Sequence, residues 1–441
     1  MRVGIVGAGW AGLAAASQCV AHNIEVTLFD AAHSPGGRAR GVIDPKLGEL
    51  DNGQHLFIGA YDKTRSILSR DLGKECVESS FHRLPLWLQS VDNQFVLRHT
   101  TSHTRSILND IRALWSAKGL GIHDKWRVAA LLWRLKRGIA KPFAKHDTSL
   151  TVAQWLRQER QTATACRWLW YPLCLATMNT SPDQACATLF QNVVRDSLMN
   201  SQPGAADLLL PTQNLSDLWP RHVAKQVSAR WGHVVRHIKP DTDRVLIDDE
   251  QFDACILAVP PTSLARLVSP IPGFERLASE ASQFEFRSIA TCYVMVDRHF
   301  PLPAPLLMFD HGTGKHGRQA QWVFDRHAFM RKPTPAQLAF VISCAESVYE
   351  RDGLSLAHEL VSELKQALPT YTGKVIGARC FHEKRATFAA LPNLSRPNCN
   401  TPSPRIFLAG DWTDTGYPAV IEGAVSSGMR AVEQLIDLDK N

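Results

Sequence analysis

Apolar runs, glycine turns and helix-forming stretches follow one another at both ends of the chain. Near the start, VGIV has the composition of a buried strand, and WAGLAAASQ after it favours a helix. The next run, IEVTLFD, predicts a second strand that ends at Asp30. Near the other end, RIFLAGD predicts an apolar strand, and AVIEGAVSSG predicts the helix that follows it. Strand, turn and helix in this order are typical of an α/β fold with a parallel sheet.

The pattern between these ends changes from helical to mixed. From about residue 81 to 203 the apolar spacing is mainly helical. Within it, RWLWYPLCLATMN is apolar enough for a buried core helix or for the lining of an apolar tunnel, and Pro172 should interrupt it. Strands return near Ala229 with ARWGHVVRHIKP, RVLIDDEQ and FDACILAVPP. Further on, IATCYVMVD and LAFVISCA predict strands, and LAHELVSELKQAL predicts a helix.

The length of the chain, 441 residues, exceeds what one hydrophobic core usually supports, so we expect two domains. The first is a discontinuous dinucleotide-binding domain made of residues 1–80, 204–265 and 398–441. The second is a mixed α+β substrate-binding domain made of residues 81–203 and 266–397. A ligand pocket is expected where two such domains meet.

Three glycines in the first turn predict a dinucleotide site. Gly7, Gly9 and Gly12 have the G-x-G-x-x-G spacing between a predicted strand and a predicted helix. Such a turn brings its backbone, here including Ala8, close to a pyrophosphate at the helix N-terminus. Asp30 ends the next strand, at about the 20-residue distance where an acidic side chain accepts ribose hydroxyls.

A second glycine-rich turn follows Asp30 and bears on the choice of cofactor. Gly37 and Arg38 would bring a free amide and a cation to a diphosphate. A nicotinamide dehydrogenase does not normally need this second loop, so the sequence favours FAD. In the segment DNGQHLFIGAY, Asn52 and Gly53 indicate a wall of the same site, although an Asx turn explains them equally well.

The distant segment RIFLAGDW has the composition of the other half of this site. Gly410 permits a close approach to the cofactor, and Asp411 is suited to accept a ribityl hydroxyl or to cap the next helix. Residues 422–424 begin that helix, where amides can face the flavin. Nothing around Cys399 resembles a flavinylation site, so we expect noncovalent FAD. The predicted cofactor-binding residues are Gly7, Ala8, Gly9, Gly12, Asp30, Gly37, Arg38, Asn52, Gly53, Val235, Gly410, Asp411, Ala419 and Val420.

The net charge of +7 is unevenly distributed along the chain. Residues 118–145 contain eight basic residues and a single acid, Asp124. The tryptophans next to or among them are Trp115, Trp126 and Trp133. This composition is typical of a helix on an anionic bilayer surface, so we predict a membrane-facing helical part within residues 110–145. From charge alone, a solvated helix face whose tryptophans pack inward is the simpler interpretation. No nucleic-acid recognition motif supports a third interpretation, so we expect no nucleic-acid partner.

The cysteines and the apolar windows indicate the compartment. The ten cysteines include no C-x-x-C pair, and no His/Cys cluster has metal-ligand spacing. We therefore expect reduced, mostly buried thiols and no metal site. The first predicted strand begins at Arg2, which leaves no room for a cleavable signal peptide, and no window has the length of a membrane span. The expected location is cytoplasmic, peripheral on the inner face of the membrane.

Four motifs together identify a family. GAGWAGLAAA, GGRARG, ILAVPP and FLAGDWT resemble the amine oxidase and phytoene desaturase superfamily of FAD enzymes, and the resemblance extends from Val3 to Gly428. Four further segments, DNGQHLFIGAY, WYPLCLATMNTSPDQACA, EKRATFAALP and AGDWTDTGYPAVIEGAVSSG, are similar to the hydroxysqualene dehydroxylases of hopanoid biosynthesis. The resemblance implies an FAD-binding Rossmann-like domain of the GR2 type with an inserted mixed α+β substrate domain.

The resemblance also implies a reaction. Reduced FAD would deliver hydride from its N5 to an allylic carbon of hydroxysqualene, a long apolar isoprenoid, to give squalene and water. Functional coupling to squalene-synthase-like prenyltransferases would follow. The candidate proton donors are His55, Asp414 and Tyr417, each more often a structural residue. Lys384 and Arg385 are placed to contact substrate or pyrophosphate, or to form a surface ion pair.

Other functions of the same fold stay open. A carotenoid or phytoene desaturase, or a flavin amine oxidase, would use the cofactor in the oxidative direction. For an amine oxidase, Trp412 and Tyr417 supply only part of an aromatic cage beside the flavin. A non-catalytic prenyl-binding escort protein is a rival from another class, but the retained glycines, Arg38 and Asp411 argue against a lost flavin site.

Overall fold

The computed structural model describes residues 1–99, 107–137, 149–200, 202–310, 319–332, 335 and 337–439. The predicted membrane-facing part is therefore described only to Arg137, and Lys141 and Lys145 lie outside the described residues. The strands are β1 (Arg2–Val6), β2 (Glu25–Asp30), β3 (Gly41–Asp44), β4 (Gly48–Asp51), β5 (Phe57–Ile58), β6 (Phe81–Leu84), β7 (Trp87–Gln89), β8 (Val96–Arg98), β9 (Leu208–Pro211), β10 (Ser228–Trp231), β11 (Ile238–Pro240), β12 (Val245–Ile247), β13 (Glu250–Phe252), β14 (Ala254–Leu257), β15 (Phe286–Val296), β16 (Leu306–Met308), β17 (Trp322–Asp325), β18 (Leu338–Ser343), β19 (Val375–Phe388) and β20 (Ile406–Leu408).

The helices cover both ends and the middle of the chain. They are α1 (Trp10–Ala21), α2 (Asp62–Leu72), α3 (Lys74–Ser79), α4 (Ile107–Ser116), α5 (Ile122–Lys136), α6 (Val152–Gln158), α7 (Ala163–Ala165), α8 (Tyr171–Met178), α9 (Ala187–Leu198), α10 (Leu215–Leu218), α11 (Pro220–Ala224), α12 (Pro261–Val268), α13 (Glu275–Ser282), α14 (Gly353–Ala367) and α15 (Ile421–Asp439). A π-helical turn, Cys166–Trp170, leads directly into α8. No helix of the described residues is both long enough and apolar enough to cross a lipid bilayer.

The central sheet is parallel, as the sequence pattern predicts. Its strand order is β10-β2-β1-β14-β20, and every neighbouring pair runs in the same direction. β1, β14 and β20 are almost entirely buried, which explains why their sequences are continuous apolar runs rather than alternating ones. Because the strands are parallel, their carboxyl ends and the loops that follow lie along one edge of the sheet.

Helices from the two ends of the chain cross on this sheet. A Cβ atom on Gly428 of α15 would lie 2.1 Å from the Ala11 carbonyl oxygen and 3.0 Å from the Ala15 amide nitrogen of α1. The crossing therefore leaves no room for a side chain at this position. It also joins the first helix to the last, so the amino- and carboxyl-terminal segments form one layer.

A second sheet is antiparallel, with the order β16-β17-β18-β15-β19. Alternate residues of β15, including Cys292 and Val294, belong to the same hydrophobic core as Leu360 of α14, which packs on this face. The opposite face of β15 carries Thr291 and Tyr293. β15, β18 and α14 confirm the strands and the helix predicted for this part of the chain.

The smaller sheets bring distant segments together. β11, β12 and β13 form the antiparallel ladder that the sequence predicts. β5, β9 and β6 form a sheet from three separate parts of the chain, one of which belongs to the predicted substrate domain. The division of the chain into two domains stays a prediction.

The tryptophan-rich tract is part of the main hydrophobic core. Trp168 stacks on Phe95 with ring centroids 5.8 Å apart, and Trp170 is fully buried with its indole nitrogen donating to Gln161. Pro172 does not end the helical tract as expected. It follows directly on the π-helical turn, where the Tyr171 amide donates to the Cys166 carbonyl five residues back, and such a π-bulge alters the bonding ladder locally without ending the helix.

The expectation that all cysteines are reduced thiols is wrong for one pair. Cys292 and Cys380 are joined by a disulfide, with their Cα atoms 4.1 Å apart. They are direct partners in the register of β15 and β19. Because they are 88 residues apart, the chain shows no short C-x-x-C signal for this bond.

Replacing Gly428 by valine should destabilise the fold by about 3 kcal/mol, the upper range for overpacking, because the new side chain has to push α15 away from α1. The measurement is the free energy of unfolding from denaturant titration. Glu433→Val places the same residue at an exposed position of the same helix and should change stability far less. Equal stability of the two variants would contradict the tight crossing.

Candidate cofactor site

The first glycine turn has the geometry of a phosphate site. Gly9 precedes α1 as its N-cap, and no side chain caps the free amides there. A Cβ on Gly12 would lie 1.8 Å from the Gly7 carbonyl oxygen, so this glycine is needed for helix–strand packing. A Cβ on Gly9 would meet no protein atom within 4 Å. The space beside Gly9 is therefore left open at a helix N-terminus, where an anion binds favourably.

Asp30 lies at the carboxyl end of β2, next to this turn. One of its carboxylate oxygens accepts from the Ala8 amide at 2.5 Å and the other from the Ala32 amide at 2.7 Å. The amide of His233, just after β10, donates to the Asp30 carbonyl, and Val235 is buried two residues further on. Asp30 and Val235 thus lie at the end of the sheet where the sequence places the nucleoside.

The second glycine turn lies against the first. The Gly36 amide donates to the Ala8 carbonyl at 2.9 Å, and a Cβ on Gly37 would lie 3.0 Å from the Gly9 Cα. Arg38, directly after this turn, donates to the Asp411 carboxylate at 2.6 Å and to the Ala386 carbonyl at 2.7 Å. The structure therefore joins Arg38 and Asp411, two predicted cofactor residues 373 positions apart.

One arginine that the sequence analysis missed holds the carboxyl-terminal turn in shape. Arg396 donates to the carbonyl oxygens of Asp411, Trp412, Thr413 and Tyr417. Burial lowers the pKa of this guanidinium to about 10, so it still carries its charge at neutral pH. No motif signals this role, because four of the partners are backbone carbonyls, the fifth is the Thr415 hydroxyl, and the residue lies outside the glycine pattern.

A cavity of about 210 Å³ lies beside the Arg38–Asp411 pair. It is lined by Arg38, Pro260, Pro261, Thr262, Ser263, Phe286, Glu383, Arg385, Phe388, Asp411 and Trp412. Arg385 therefore faces the candidate site, and its guanidinium donates to the Thr262 hydroxyl. Lys384 points to the opposite side of β19, over the Tyr349 ring, because successive residues of a strand alternate faces.

The segment after β4 forms a wall between the two sheets. Asn52 exchanges hydrogen bonds with the backbone of Arg40, and the Gln54 amide donates to the Thr291 hydroxyl on β15. A Cβ on Gly53 would make only ordinary van der Waals contacts, 3.5 Å from His55 and 3.7 Å from Thr291, so the packing leaves room for a side chain there. The Asn52 side chain therefore bonds to Arg40 rather than forming an Asx turn, and its place in the wall of the cofactor site stays a prediction.

His55 is held in one tautomer by this wall. Its Nδ1 lies 2.7 Å from the Gly53 carbonyl oxygen, which can only accept, so Nδ1 carries the proton. Burial lowers the pKa of His55 to about 4, and the bond to Gly53 only partly offsets this effect. At neutral pH the ring is uncharged, and its Nε2 is a hydrogen-bond acceptor.

The other two candidate proton donors have different surroundings. Asp414 is exposed at the surface, and its backbone carbonyl accepts from Arg430. The Tyr417 hydroxyl donates to Asp196 at 2.7 Å. Burial raises the pKa of Tyr417, and the charge of Asp196 adds to the shift. Like His55, neither side chain is among those that line the cavity beside Arg38.

The start of α15 is tied to α2. The Glu422 carboxylate accepts from the backbone amides of Lys63 and Thr64 at 2.8 and 2.9 Å, and from the Thr64 hydroxyl. Glu422 therefore caps α2, a role that the sequence analysis missed. Ala419 and Val420 are half-buried and directly precede α15.

Asp51, at the end of β4, is the first residue of the DNGQHLFIGAY segment, but its burial has no signal in the sequence. Its carboxylate accepts from the Leu215 amide at 2.7 Å, and burial raises the pKa of Asp51 to about 7. Arg326 lies close by, donating to the Glu49 carbonyl and covering the Tyr293 ring at 4.9 Å. Burial lowers the pKa of Arg326. Only the fold brings these groups together, because β4 and β17 are far apart in the chain.

Comparison with known proteins decides the family. A family model described as flavin-containing amine oxidoreductase matches residues 10–436. The chain belongs to this family. It is therefore a flavin-dependent oxidoreductase, which confirms the predictions of an enzyme and of a flavin cofactor.

Several relatives cover almost the whole chain. A hydroxysqualene dehydroxylase of Rhodopseudomonas palustris is 29% identical over 98% of both chains. Another, of Sinorhizobium fredii, is 27% identical over 98% of this chain and 97% of its own. A probable zeta-carotene desaturase of Synechococcus elongatus is 21% identical over 99% of both. These relatives confirm the resemblance to the hydroxysqualene dehydroxylases within the wider superfamily.

Solved structures confirm the fold class. A putrescine oxidase bound to putrescine superposes with a TM-score of 0.70, at 16% identity over 99% of both chains. A putative protoporphyrinogen oxidase from Exiguobacterium superposes with a TM-score of 0.68, at 14% identity over 100% of this chain and 99% of that one. The roles of the individual site residues stay predictions.

Gly9→Val should weaken flavin binding by at least about tenfold while leaving the fold intact. The backbone at Gly9 is extended and a side chain there meets open space, so the substitution fills only the room beside the helix N-terminus. The measurement is the visible flavin absorbance per chain, with thermal unfolding as the check on folding. Gly121→Val is the matched control, because Gly121 is also an extended N-cap glycine. Equal flavin content in both variants would contradict the phosphate site.

Asp51 binds its proton more tightly in the folded chain than in the unfolded one, so its contribution to the free energy of unfolding falls as pH rises from about 4 to about 7. Asp51→Asn keeps an acceptor for the Leu215 amide and removes the titration. Relative to the wild type, the free energy of unfolding of this variant should therefore rise by about 1–3 kcal/mol between pH 5 and 8. The exposed Asp249→Asn is the control and should follow the wild type. Parallel curves for Asp51→Asn and wild type would contradict this assignment.

Proposed function

We propose that this chain is an FAD-dependent hydroxysqualene dehydroxylase. The reaction replaces the hydroxyl of hydroxysqualene by hydrogen and consumes a hydride and a proton, so the products are squalene and water. The observation that carries the proposal is the similarity of nearly the whole chain to proteins of that name. The reduced flavin, when bound, supplies the hydride.

FAD suits the described residues better than a mononucleotide. The open space beside Gly9 lies at the N-terminus of α1, and Asp30 and Val235 lie beyond it at the end of β2 and β10. Arg38 and Asp411 lie on the other side of the second glycine turn, beside the cavity. We infer that the pyrophosphate binds at Gly9, the adenosine towards Asp30, and the ribityl chain towards Asp411.

The protein's own contribution is to orient the substrate and keep water out. We propose that His55 accepts a hydrogen bond from the substrate hydroxyl at Nε2, because its Nδ1 proton is already donated to the Gly53 carbonyl. This role differs from the proton donor that the sequence predicts. An imidazolium would be needed for that role, and the pKa of about 4 leaves almost none at neutral pH.

The amine oxidase alternative finds less support around the cofactor. Trp412 is buried, donates to the Val259 carbonyl and packs edge-on against Phe284. Tyr417 is bonded to Asp196. Each ring of the proposed aromatic cage thus has its own partner. A carotenoid desaturase stays the second candidate, favoured by the similarity to a zeta-carotene desaturase.

Anaerobic incubation of the reduced enzyme with hydroxysqualene should yield squalene and oxidised flavin in equal amounts. The measurement is product analysis by mass spectrometry beside the flavin spectrum, since one hydride leaves the flavin for each product formed. In parallel experiments, the oxidised enzyme is incubated with phytoene, with zeta-carotene and with a primary amine. Desaturated carotenoid without conversion of hydroxysqualene would contradict the proposal.

The variant His55→Gln tests, in the same assay, whether His55 binds the substrate hydroxyl rather than the flavin. Glutamine retains an acceptor, whereas His55→Leu does not. We therefore expect the glutamine variant to keep more activity than the leucine variant, at equal flavin content. Equal activity of both would rule out the proposed role for Nε2.

A further inference from the structure

The exposed side of helices α4 and α5 carries a cluster of large apolar side chains. The exposed fractions of its side chains are 47% for Ile111, 39% for Trp115, 75% for Ile122, 61% for Trp126 and 54% for Trp133. Among the described residues, these five are half of the large hydrophobic side chains that are exposed, and they include every exposed tryptophan. The other exposed apolar residues are scattered over the chain, so this surface is a distinct patch.

The patch follows from a helix with two apolar faces. Val128, Leu131 and Leu135 of α5 are buried against the protein. Ile122, Trp126 and Trp133 are spaced by four and seven residues, which puts them together on the outer side of the same helix. Folding of the described residues buries the first face and leaves the second face in contact with solvent.

The two helices present one continuous surface. The rings of Trp115 on α4 and Trp126 on α5 meet edge-on with centroids 5.2 Å apart, and Lys125 donates to the Trp115 carbonyl. Ile111 lies one turn before Trp115 on the same side of α4. The structure therefore contradicts the interpretation that these tryptophans pack inward.

The edge of this patch is strongly basic. Residues 111–137 contain seven basic residues and one acid, Asp124, whose carboxylate accepts from the Gly121 amide and so caps α5. Lys136 and Arg137 are exposed, and Arg137 lies 5.2 Å from the Trp133 ring. Arg134 is paired with Glu159, so it contributes less free charge than these two.

We propose that the α4–α5 surface docks the protein on a bilayer that contains anionic lipid. Exposed tryptophans bordered by lysine and arginine match the headgroup layer, where the rings bury their apolar part and the cations meet lipid phosphates. A second copy fits less well, since a two-fold contact would place two patches of like charge against each other. This inference stands apart from the proposed reaction, because it rests on the surface alone.

The patch is joined to the apolar core beneath it. The Gln161 side chain donates to the Arg127 carbonyl of α5 and accepts from the Trp170 indole in the buried tract. Docking would therefore hold the helical, apolar side of the molecule against the lipid. A substrate that partitions into bilayers would meet this side first.

Vesicle flotation tests the docking with the flavin-loaded enzyme. The wild type should float with vesicles of phosphatidylcholine and phosphatidylglycerol, and should bind pure phosphatidylcholine vesicles more weakly. Trp126→Ser with Trp133→Ser should weaken binding to the mixed vesicles by at least about tenfold, and so should Lys136→Glu with Arg137→Glu. Brominated lipids should quench tryptophan emission of the wild type and quench the double-serine variant less.

Matched controls come from other exposed residues of the same chain. Ile43→Ser with Ile376→Ser, and Lys225→Glu with Lys239→Glu, should bind vesicles like the wild type. Flavin content and thermal unfolding of all variants check that the fold is retained. Wild-type binding by both patch variants, or no flotation of the wild type, would overturn the proposal. A dimer contact that depends on the same residues, without any vesicle binding, would also overturn the proposal. Binding of single-stranded nucleic acid through these residues, again without vesicle binding, would overturn it as well.

Discussion

The close crossing of α1 and α15 is the constraint on which the cofactor site depends. Gly428 allows the last helix to rest directly on the backbone of the first, at Ala11 and Ala15. The parallel sheet beneath them places the ends of β1, β2, β14 and β20 along one edge. The two glycine turns, Asp30 and the turn at Asp411 therefore meet there, although they come from opposite ends of the chain.

The sequence predicts the parts of this site that have local signals. Glycine spacing, apolar strands and the acid at the end of β2 are short-range patterns, and they identify the flavin fold correctly. Arg396 and Asp51 have no such signal, because the groups that they bind, mainly backbone atoms, become their neighbours only when the chain folds. The Cys292–Cys380 disulfide depends on the register of two strands, which no spacing in the chain reveals. Exposure of the tryptophans is likewise a property of packing.

The cofactor wall and the α4–α5 surface give the molecule two different chemical environments. Around the cofactor wall, burial keeps His55 uncharged and fixes its tautomer through the Gly53 carbonyl. On the α4–α5 surface, apolar and basic side chains lie together in solvent. An apolar isoprenoid substrate would need both environments. It has to leave a lipid phase and then enter a site without water, where its hydroxyl is held in one orientation. The proposed reaction and the proposed docking surface are thus compatible, while each has its own test.

A crystal structure of the chain with its flavin bound tests the central claim most directly. FAD is expected in an extended form, with its pyrophosphate within hydrogen-bond distance of the amides that follow Gly9. Its adenosine ribose should contact Asp30, and its ribityl chain should lie beside the Arg38–Asp411 pair. Density for the pyrophosphate away from the α1 N-terminus, or a flavin that contacts only one end of the chain, would contradict a site assembled from both ends.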